Sequence, residues 1–189
     1  AAAVVAGSLL MPERFARAMS RVDAWLDPWS DPQGSGYQLI QGLVAMVNGG
    51  AWGVGLGAGN GTVIPQHQND SIFMVIVNEF GMIFGAVVLA VYMLIVIRGM
   101  MIARASRTRF HALLATGCVA LLAVQTFVII GGNIKLIPLT GLPLPFISLG
   151  GTALVSSMCI IGMLQGVSAR NAAGLKEDRE LALQGGDGL

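Results

Sequence analysis

Three long apolar runs constrain the fold of this chain more than any other feature of its sequence. They cover residues 71–97, 110–134 and 149–169, and Glu79 is the one charged residue among them. An α-helix rises about 1.5 Å per residue and the apolar core of a bilayer is about 30 Å thick, so each run is long enough to cross it. Charged residues make up 11% of the 189 residues, whereas soluble domains average about 25%. The sequence therefore predicts an all-α, polytopic membrane protein.

The first eleven residues form a fourth apolar piece that is too short to cross a bilayer. Ala1 to Met11 lacks the basic start of a signal peptide. We interpret residues 1–11 as the end of a transmembrane helix whose beginning precedes this chain. The chain is therefore expected to be the C-terminal portion of a larger protein.

Arginine placement predicts which side of the membrane each connection faces. The connection 98–109 contains no acidic residue and four arginines, Arg98, Arg104, Arg107 and Arg109. Short loops rich in arginine and lysine remain on the cytoplasmic side. Alternation of the spans then places the connections 12–70 and 135–148 outside and the tail 170–189 in the cytoplasm. Asp70 and the proline-rich loop 135–148 are thus expected on the same, outer face, where they can form one site.

The outer connection 12–70 contains two amphipathic patterns. In its first part, apolar and basic residues fall on separate stripes at helical spacing, Phe15, Met19, Val22 and Leu26 on one and Arg14, Arg17 and Arg21 on the other. Such a helix is expected to lie in the membrane surface. A second short helix is predicted from Tyr37 to Val47. A glycine-rich stretch follows it, and its adaptable backbone suits the vicinity of a bulky ligand.

Composition argues against nucleic-acid and metal-cluster functions. The net charge is +1, and the chain has neither the basic patch nor the aromatic platform of a nucleic-acid-binding protein, so no nucleic-acid partner is expected. Cys118 and Cys159 fall inside predicted spans, where they are expected to pack as small apolar residues. His67 and His111 are isolated, and neither belongs to a metal-ligand pattern.

Asp70 stands out because it is the only acid between Pro32 and the apolar run 71–97. A carboxylate at such a boundary has water on one side and apolar walls on the other. It can therefore stay reactive and meet a lipid-borne substrate. The residues alone leave two interpretations open, a reactive acid or a solvated loop residue.

Six segments carry a more specific signal. They are WLDPWSDP (25–32), GYQLIQGLVAMVNGG (36–50), GVGLG (53–57), IPQHQNDSIF (64–73), NEFG (78–81) and IPLTGLPLPFISLGGTAL (137–154). In this order and at this spacing, they resemble the SEDS family of bacterial shape, elongation, division and sporulation proteins, FtsW, RodA and SpoVE. Members of that family have ten spans. The resemblance implies that this chain corresponds to the last four, beginning inside the seventh, with a long outer loop that contains amphipathic helices.

The resemblance also implies an activity. Family members polymerise lipid II into glycan strands in the bacterial cytoplasmic membrane, usually together with a class B penicillin-binding protein. Their essential aspartate closes an outer-loop pattern, Pro-Glu-x-His-Thr-Asp-Phe-Ile, which begins here at Pro65 and places that acid at Asp70. This chain departs from the family's residues at five positions, Gln66, Gln68, Asn69, Ser71 and Leu149.

Lipid II polymerisation requires only one carboxylate. The pyrophosphate leaves readily without a general acid, whereas the acceptor hydroxyl needs a base, so Asp70 is the candidate general base. Alternatively, Asp70 holds a divalent cation, Mg²⁺ or Mn²⁺, against the pyrophosphate. Glu79 lies nine positions after Asp70. If both residues are on one helix, this spacing places them on opposite faces, so Glu79 is not expected to act with Asp70.

Three further residues are candidates for substrate binding. Lys135 is the only cation of the second outer loop, where it can neutralise the leaving group or, equally, reach from a helix end to the membrane surface. Gln41 and Ser148 are the other two candidates. The prolines of the loop 135–148, together with Ser148, are also expected to shape a re-entrant turn.

The sequence leaves two alternatives to a polymerase open. A lipid II flippase is expected to carry charged residues through the interiors of its spans, and these interiors are almost uncharged. A non-catalytic membrane scaffold of the division or elongation machinery would contact membrane lipids and partner proteins, and would tolerate the loss of Asp70. The sequence therefore favours the polymerase.

Overall fold

The computed structural model describes residues 12–59 and 69–186, and all the regular structure within these ranges is helical. Five α-helices follow one another, α1 Pro12–Leu26, α2 Tyr37–Gly49, α3 Ile72–Arg104, α4 Arg109–Asn133 and α5 Gly151–Gly186, with a short 3₁₀ turn at Pro28–Ser30. The predicted end of a transmembrane helix at 1–11 lies outside the described residues.

Three of these helices are long and apolar enough to cross a membrane, α3, α4 and the part of α5 up to Asp178. The predicted class, an all-α multi-pass membrane protein, is thereby confirmed. The helices α1 and α2 precede the first span, in the two places where the sequence indicates amphipathic helices.

The three long helices pack through small residues. Ala103 of α3, Ala115 and Cys118 of α4, and Leu164 of α5 belong to one buried apolar cluster. At Gly99 of α3, an added Cβ atom would lie 2.3 Å from the Val119 side chain. Such close approach through glycine and alanine is how membrane helices gain packing contacts, because lipid is as apolar as their side chains.

The helix boundaries differ from the predicted ones at the arginine-rich end. The helix α3 continues beyond residue 97 to Arg104, which leaves only 105–108 as a connection where the sequence indicates 98–109. The helix α4 begins at Arg109 because the Thr108 hydroxyl accepts a hydrogen bond from the backbone N–H of His111 (3.3 Å).

The helix α5 likewise continues to Gly186, where the sequence indicates a tail from residue 170. Polar side chains hold this extension against the end of α3 and the connection that follows it. The Asn171 amide donates to the carbonyl oxygen of Ile102 (3.1 Å), and the Arg107 guanidinium donates to that of Gly174 (2.8 Å). Arg107 also forms an ion pair with Asp178.

The helix α3 is interrupted at Gly81, whose φ of 89° and ψ of 168° are not helical. The backbone groups freed by this break bond to residues 50–55. Val54 and Gly55 donate to the carbonyl oxygens of Asn78 and Glu79 (both 3.0 Å), and Met82 donates to that of Gly50 (2.9 Å). We call residues 50–55 and 78–83 the glycine junction. Its hydrogen bonds satisfy the N–H and C=O groups of the broken helix within the protein, as is required where a membrane helix is interrupted.

The junction depends on glycine at two positions. A Cβ atom on Gly81 would lie 2.2 Å from the carbonyl oxygen of Ala51, and one on Gly53 would lie 2.1 Å from that of Glu79. Both glycines also have positive φ angles. The glycine-rich stretch, whose composition suits the vicinity of a bulky ligand, therefore completes a broken helix. The part of α3 after the break, 82–104, is roughly 35 Å long at about 1.5 Å per residue and is sufficient to cross a bilayer.

Candidate active site

A cavity of about 340 Å³, with both polar and apolar walls, lies where α1, the start of α2 and the loop after α4 meet. Asp70, just before α3, is the one carboxylate that lines it among the described residues. The other lining residues are Ser20, Arg21, Ala24 and Trp25 of α1, Gln33 to Ser35, Tyr37 to Leu39, Leu139 and Gly141. The cavity thus joins Asp70 to the proline-rich loop 135–148, as expected of a shared site.

The backbone around Asp70 is fixed by side chains from two other parts of the chain. The carbonyl oxygen of Asp70 accepts a hydrogen bond from the amide of Asn133, the last residue of α4 (3.0 Å). The preceding carbonyl, that of Asn69, accepts one from the hydroxyl of Ser148 (2.7 Å). That hydroxyl in turn accepts from the backbone N–H of Leu144 (2.7 Å). Asp70 is therefore tied to the end of α4 and to the proline-rich loop.

The following residue, Ser71, is held from a third direction. Its side chain is fully buried, and its hydroxyl accepts a hydrogen bond from the amide of Gln38 in α2 (2.9 Å). Gln38 also lines the cavity. The start of α3 is thereby aligned with α2.

The Asp70 carboxyl is half-buried, and its surroundings change its acidity in two opposing ways. Burial disfavours the charged form and raises the pKa of Asp70, while the positive charge of Arg21 lowers it, and burial is the larger effect. The carboxyl is therefore a stronger base than a solvated aspartate.

Gly141 separates the Asp70 carboxyl from the Arg21 guanidinium. A Cβ atom at this position would lie 3.2 Å from Oδ2 of Asp70 and 3.5 Å from Nη2 of Arg21. Gly141 has a φ of 75°, in the left-handed region that favours glycine. The missing side chain leaves both charged groups open to one small space.

Arg21 was not predicted as a site residue, yet it is anchored at the cavity. Its Nη1 donates to the carbonyl oxygen of Thr140 (2.5 Å) and, at 3.5 Å, to that of Leu139. One turn further along α1, the indole N–H of Trp25 donates to the carbonyl oxygen of Lys135 (3.0 Å). The basic stripe of α1 was the available signal, but nothing in the sequence connects that stripe to Asp70.

The predicted substrate-binding residues are placed differently from one another. Lys135 is half-buried with a φ of 62° and is not among the residues that line the cavity. Gln41 is half-buried on α2, one turn beyond Gln38, and it too is absent from the lining. Ser148 is 8% exposed and contacts the backbone beside Asp70. Substrate binding by these three residues stays a prediction.

Two further acids, Asp27 and Asp31, lie between α1 and α2 and bond to nearby backbone. The Asp27 carboxylate accepts from the backbone N–H of Trp29 (3.1 Å), and that of Asp31 accepts from Gly34 (3.0 Å) and Ser35 (2.8 Å). Both carboxylates therefore cap nearby backbone N–H groups.

Asn78 and Glu79 belong to the glycine junction. Asn78 is 2% exposed, and its amide donates to the carbonyl oxygen of Ala45 in α2 (2.7 Å). These contacts favour a structural role for the Asn78 side chain, as a link between α2 and α3.

A divalent cation would find few protein ligands here. Residues 12–59 and 69–186 contain no group of three or more His, Cys, Asp or Glu side chains arranged to hold a metal. Mg²⁺ is commonly bound by one or two carboxylates together with substrate phosphates. Asp70 therefore suits only a cation that is shared with a phosphate-bearing substrate.

Comparison with known proteins gives consistent relatives. The profile of a family described as cell cycle protein, comprising FtsW, RodA and SpoVE, matches residues 2–173. Peptidoglycan glycosyltransferase RodA of Mycobacterium bovis is 39% identical over 163 residues, which are 86% of this chain and 35% of that protein. Stage V sporulation protein E of Bacillus subtilis is 37% identical over 152 residues, 79% of this chain and 42% of that protein.

A probable peptidoglycan glycosyltransferase FtsW of Geobacter metallireducens is 40% identical over 152 residues, 79% of this chain and 40% of that protein. A chain of a solved peptidoglycan synthase complex, which coordinates polymerization and crosslinking, is 27% identical with a TM-score of 0.65. The match covers 86% of this chain and 43% of that one. The chain thus spans less than half the length of these relatives. Because the family profile matches residues 2–173, this chain belongs to the FtsW, RodA and SpoVE family of cell cycle proteins.

Proposed function

We propose that the protein carrying this chain is a peptidoglycan glycosyltransferase that polymerises lipid II into glycan strands, with Asp70 as the general base. The observation that supports this most directly is the half-buried Asp70 carboxyl, which lines a cavity next to Arg21 at the start of a membrane span. The names of the relatives support the same reaction. In this proposal, the cavity faces the outside of the bacterial cytoplasmic membrane and the arginine-rich connection faces the cytoplasm.

The reaction joins an acceptor hydroxyl to the anomeric carbon of a donor sugar. The new carbon–oxygen bond forms as the bond to the lipid-linked pyrophosphate breaks, and that pyrophosphate leaves with the electron pair. Asp70 takes the proton of the hydroxyl. Its basicity is increased by burial, which suits a general base, whose ideal pKa lies closer to the working pH than that of a solvated aspartate.

The role of Asp70 has one alternative, the holding of Mg²⁺ or Mn²⁺ together with the substrate pyrophosphate. Such a cation would neutralise the leaving group. We favour the base, because the Arg21 guanidinium already provides positive charge near Asp70. Activity that persists in excess chelator is the result expected for the base.

The proposed partner is a class B penicillin-binding protein that crosslinks the new strands. The support is the similarity to a chain of a synthase complex in which polymerization and crosslinking are coordinated. Membrane lipids surround the three spanning helices in this proposal.

The test compares Asp70→Asn with Asp23→Asn in the purified full-length protein, with its penicillin-binding partner and labelled lipid II. Asparagine has the shape of aspartate but cannot act as a base, so glycan chains should decrease by about 10²- to 10⁴-fold. Asp23→Asn makes the same change at an exposed position of α1 outside the cavity lining and should polymerise normally.

Two results would contradict the proposal. The first is normal polymerisation by Asp70→Asn. The second is a wild-type protein that moves fluorescent lipid II across proteoliposomes but forms no glycan chains, which would indicate a flippase.

A further inference from the structure

The Arg21 guanidinium is fixed at the cavity by only part of its hydrogen-bonding capacity. An arginine side chain has five N–H donors. Among the residues that the structure describes, the hydrogen bonds of Arg21 are made by Nη1 alone, to the carbonyl oxygens of Thr140 and Leu139. Nη2 lies 3.5 Å from the point where a Cβ atom of Gly141 would be, and Oδ2 of Asp70 lies 3.2 Å from the same point. The guanidinium is thus held in place with donors left for a ligand.

The charge of Arg21 is not neutralised by an ion pair within the described ranges. The ion pair found there joins Arg107 to Asp178, beside the connection that follows α3. Carbonyl oxygens hold Arg21 without cancelling its charge. The Asp70 carboxyl is close enough for Arg21 to lower its pKa, but it is not at ion-pair distance. A positive charge is therefore available in the cavity for an anionic group.

The position of Arg21 relative to Asp70 matches the two ends of a sugar transfer. Both side chains lie within van der Waals reach of the point where a Cβ atom of Gly141 would be. In the proposed reaction, Asp70 receives the proton of the acceptor hydroxyl on one side of the anomeric carbon. Negative charge develops on the pyrophosphate oxygen on the other side. A guanidinium suits that oxygen, because its planar donors bind two phosphate oxygens at once.

We propose that Arg21 binds the pyrophosphate of the donor lipid and stabilises the negative charge that develops as this group leaves. This inference rests on the proposed function, whose site it deepens. It assigns to Arg21 the role that the sequence suggested for Lys135, which does not line the cavity. The bond between the anomeric carbon and the phosphate oxygen breaks, the electron pair stays on that oxygen, and Arg21 donates hydrogen bonds to the anion.

The experiment measures steady-state polymerisation by Arg21→Gln, Arg21→Lys and Arg98→Gln in the full-length protein with its partner. A group that acts on charge developing in the transition state changes kcat, so Arg21→Gln should lower kcat about 10²-fold, with a smaller change in KM. Arg21→Lys keeps the charge but not the planar pair of donors, and should fall between Arg21→Gln and wild type. Arg98→Gln removes one positive charge near the end of α3 away from the cavity and should retain wild-type kcat.

A binding measurement separates this role from a merely structural one. A prenyl pyrophosphate without sugar should inhibit the wild-type protein, and Arg21→Gln should weaken that inhibition at least tenfold. Asp70→Asn should bind the same prenyl pyrophosphate at least as tightly as wild type does, because the substitution removes a negative charge near the guanidinium. The apparent unfolding temperature of each variant in detergent shows whether the fold is retained.

The results distinguish this inference from the proposed function. If Asp70→Asn abolishes polymerisation while Arg21→Gln keeps its kcat and its inhibition by prenyl pyrophosphate, only the role of Arg21 is overturned. A rise in KM alone, with kcat unchanged, also overturns it, because that result indicates that Arg21 contributes equally to the ground state and the transition state and does not stabilise developing charge. Normal polymerisation by Asp70→Asn overturns the proposed function itself.

Discussion

The cavity around Asp70 and the glycine junction both join the segment before α3 to the rest of the chain, but by different means. At the cavity, side chains from separate helices and loops bond to backbone carbonyls, as Ser148 does to Asn69. At the junction, backbone bonds to backbone, and the close approach requires glycine at positions 53 and 81. Positions 53 and 81 of the junction therefore have no room for a side chain. The cavity, by contrast, is held by several replaceable contacts, each of modest strength.

The largest expected effect is that of Gly81→Ala. Its Cβ atom would lie 2.2 Å from the Ala51 carbonyl oxygen, at a φ of 89° that alanine rarely adopts. Strain and overlap together should lower the free energy of unfolding by about 3 kcal/mol or more. The change is measured by unfolding of the purified protein in detergent.

Gly117→Ala is the matched control for Gly81→Ala. Gly117 lies within α4, and no atom is found within 4 Å of an added Cβ. Alanine stabilises a helix by up to about 1 kcal/mol relative to glycine, so this variant should be at least as stable as wild type. Equal stabilities of the two variants would show that the junction does not constrain α3.

The next effect in size is that of Ser148→Ala, which removes two hydrogen bonds of 2.7 Å. The backbone N–H of Leu144, a residue that is 1% exposed, loses its acceptor. An unsatisfied buried donor costs about 1–3 kcal/mol. Polymerisation should also fall severalfold under conditions where the variant is folded, because Asn69 adjoins Asp70.

The matched control is Ser156→Ala, at an exposed hydroxyl of α5, which should change the free energy of unfolding by less than about 0.5 kcal/mol. Similar losses in both variants would contradict a special role for Ser148.

A smaller effect is expected from Trp25→Phe, which removes the hydrogen bond from the indole to Lys135 (3.0 Å) and keeps the aromatic ring. One hydrogen bond contributes about 0.5–1.5 kcal/mol, and the loss should loosen α1 from the proline-rich loop. Trp29→Phe makes the same substitution at a side chain that is 67% exposed. Unfolding of the two variants should differ by this amount, and identical unfolding would show that α1 is not anchored through Trp25.

The smallest expected effect is a shift in pH dependence. Burial raises the pKa of Asp70, so the active carboxylate should be lost, as pH falls, at a higher pH than the ordinary value of about 3.9 implies. Arg21 lowers that pKa, so Arg21→Gln should move the acid limb of kcat/KM to still higher pH. A downward shift would contradict the electrostatic coupling of the two groups.

The same shift has a consequence for stability. Because the pKa of Asp70 is raised in the folded protein, folding favours the protonated carboxyl. The contribution of this protonated group to stability is fully present below the pKa of Asp70 in the unfolded chain. That contribution is lost as pH rises through the folded pKa.

The sequence predicted the parts of this molecule that depend on local composition. Uncharged runs indicated the three spanning helices, and amphipathic spacing indicated α1 and α2, because each pattern follows directly from helix geometry. The position of Asp70 beside the loop 135–148 followed from the arginine-rich connection. These inferences require no knowledge of which distant residues touch.

The break at Gly81 and the position of Arg21 at the cavity could not be predicted in this way. A single glycine within an apolar run is tolerated in a continuous helix, and the partner of Gly81 lies in a separate glycine-rich stretch. Arg21 reaches the cavity only because α1 packs against Thr140 and Leu139. Both features depend on contacts between segments far apart in sequence.

The absent side chain at Gly141 has a practical consequence for inhibitor design. A compound that places one methyl-sized group in this gap would keep the carboxyl of Asp70 and the guanidinium of Arg21 from acting on the same molecule. Such a compound need not imitate a sugar or compete for its contacts. Resistance by enlarging residue 141 would fill the gap with the protein's own atoms, so the escape mutation would itself obstruct the proposed site.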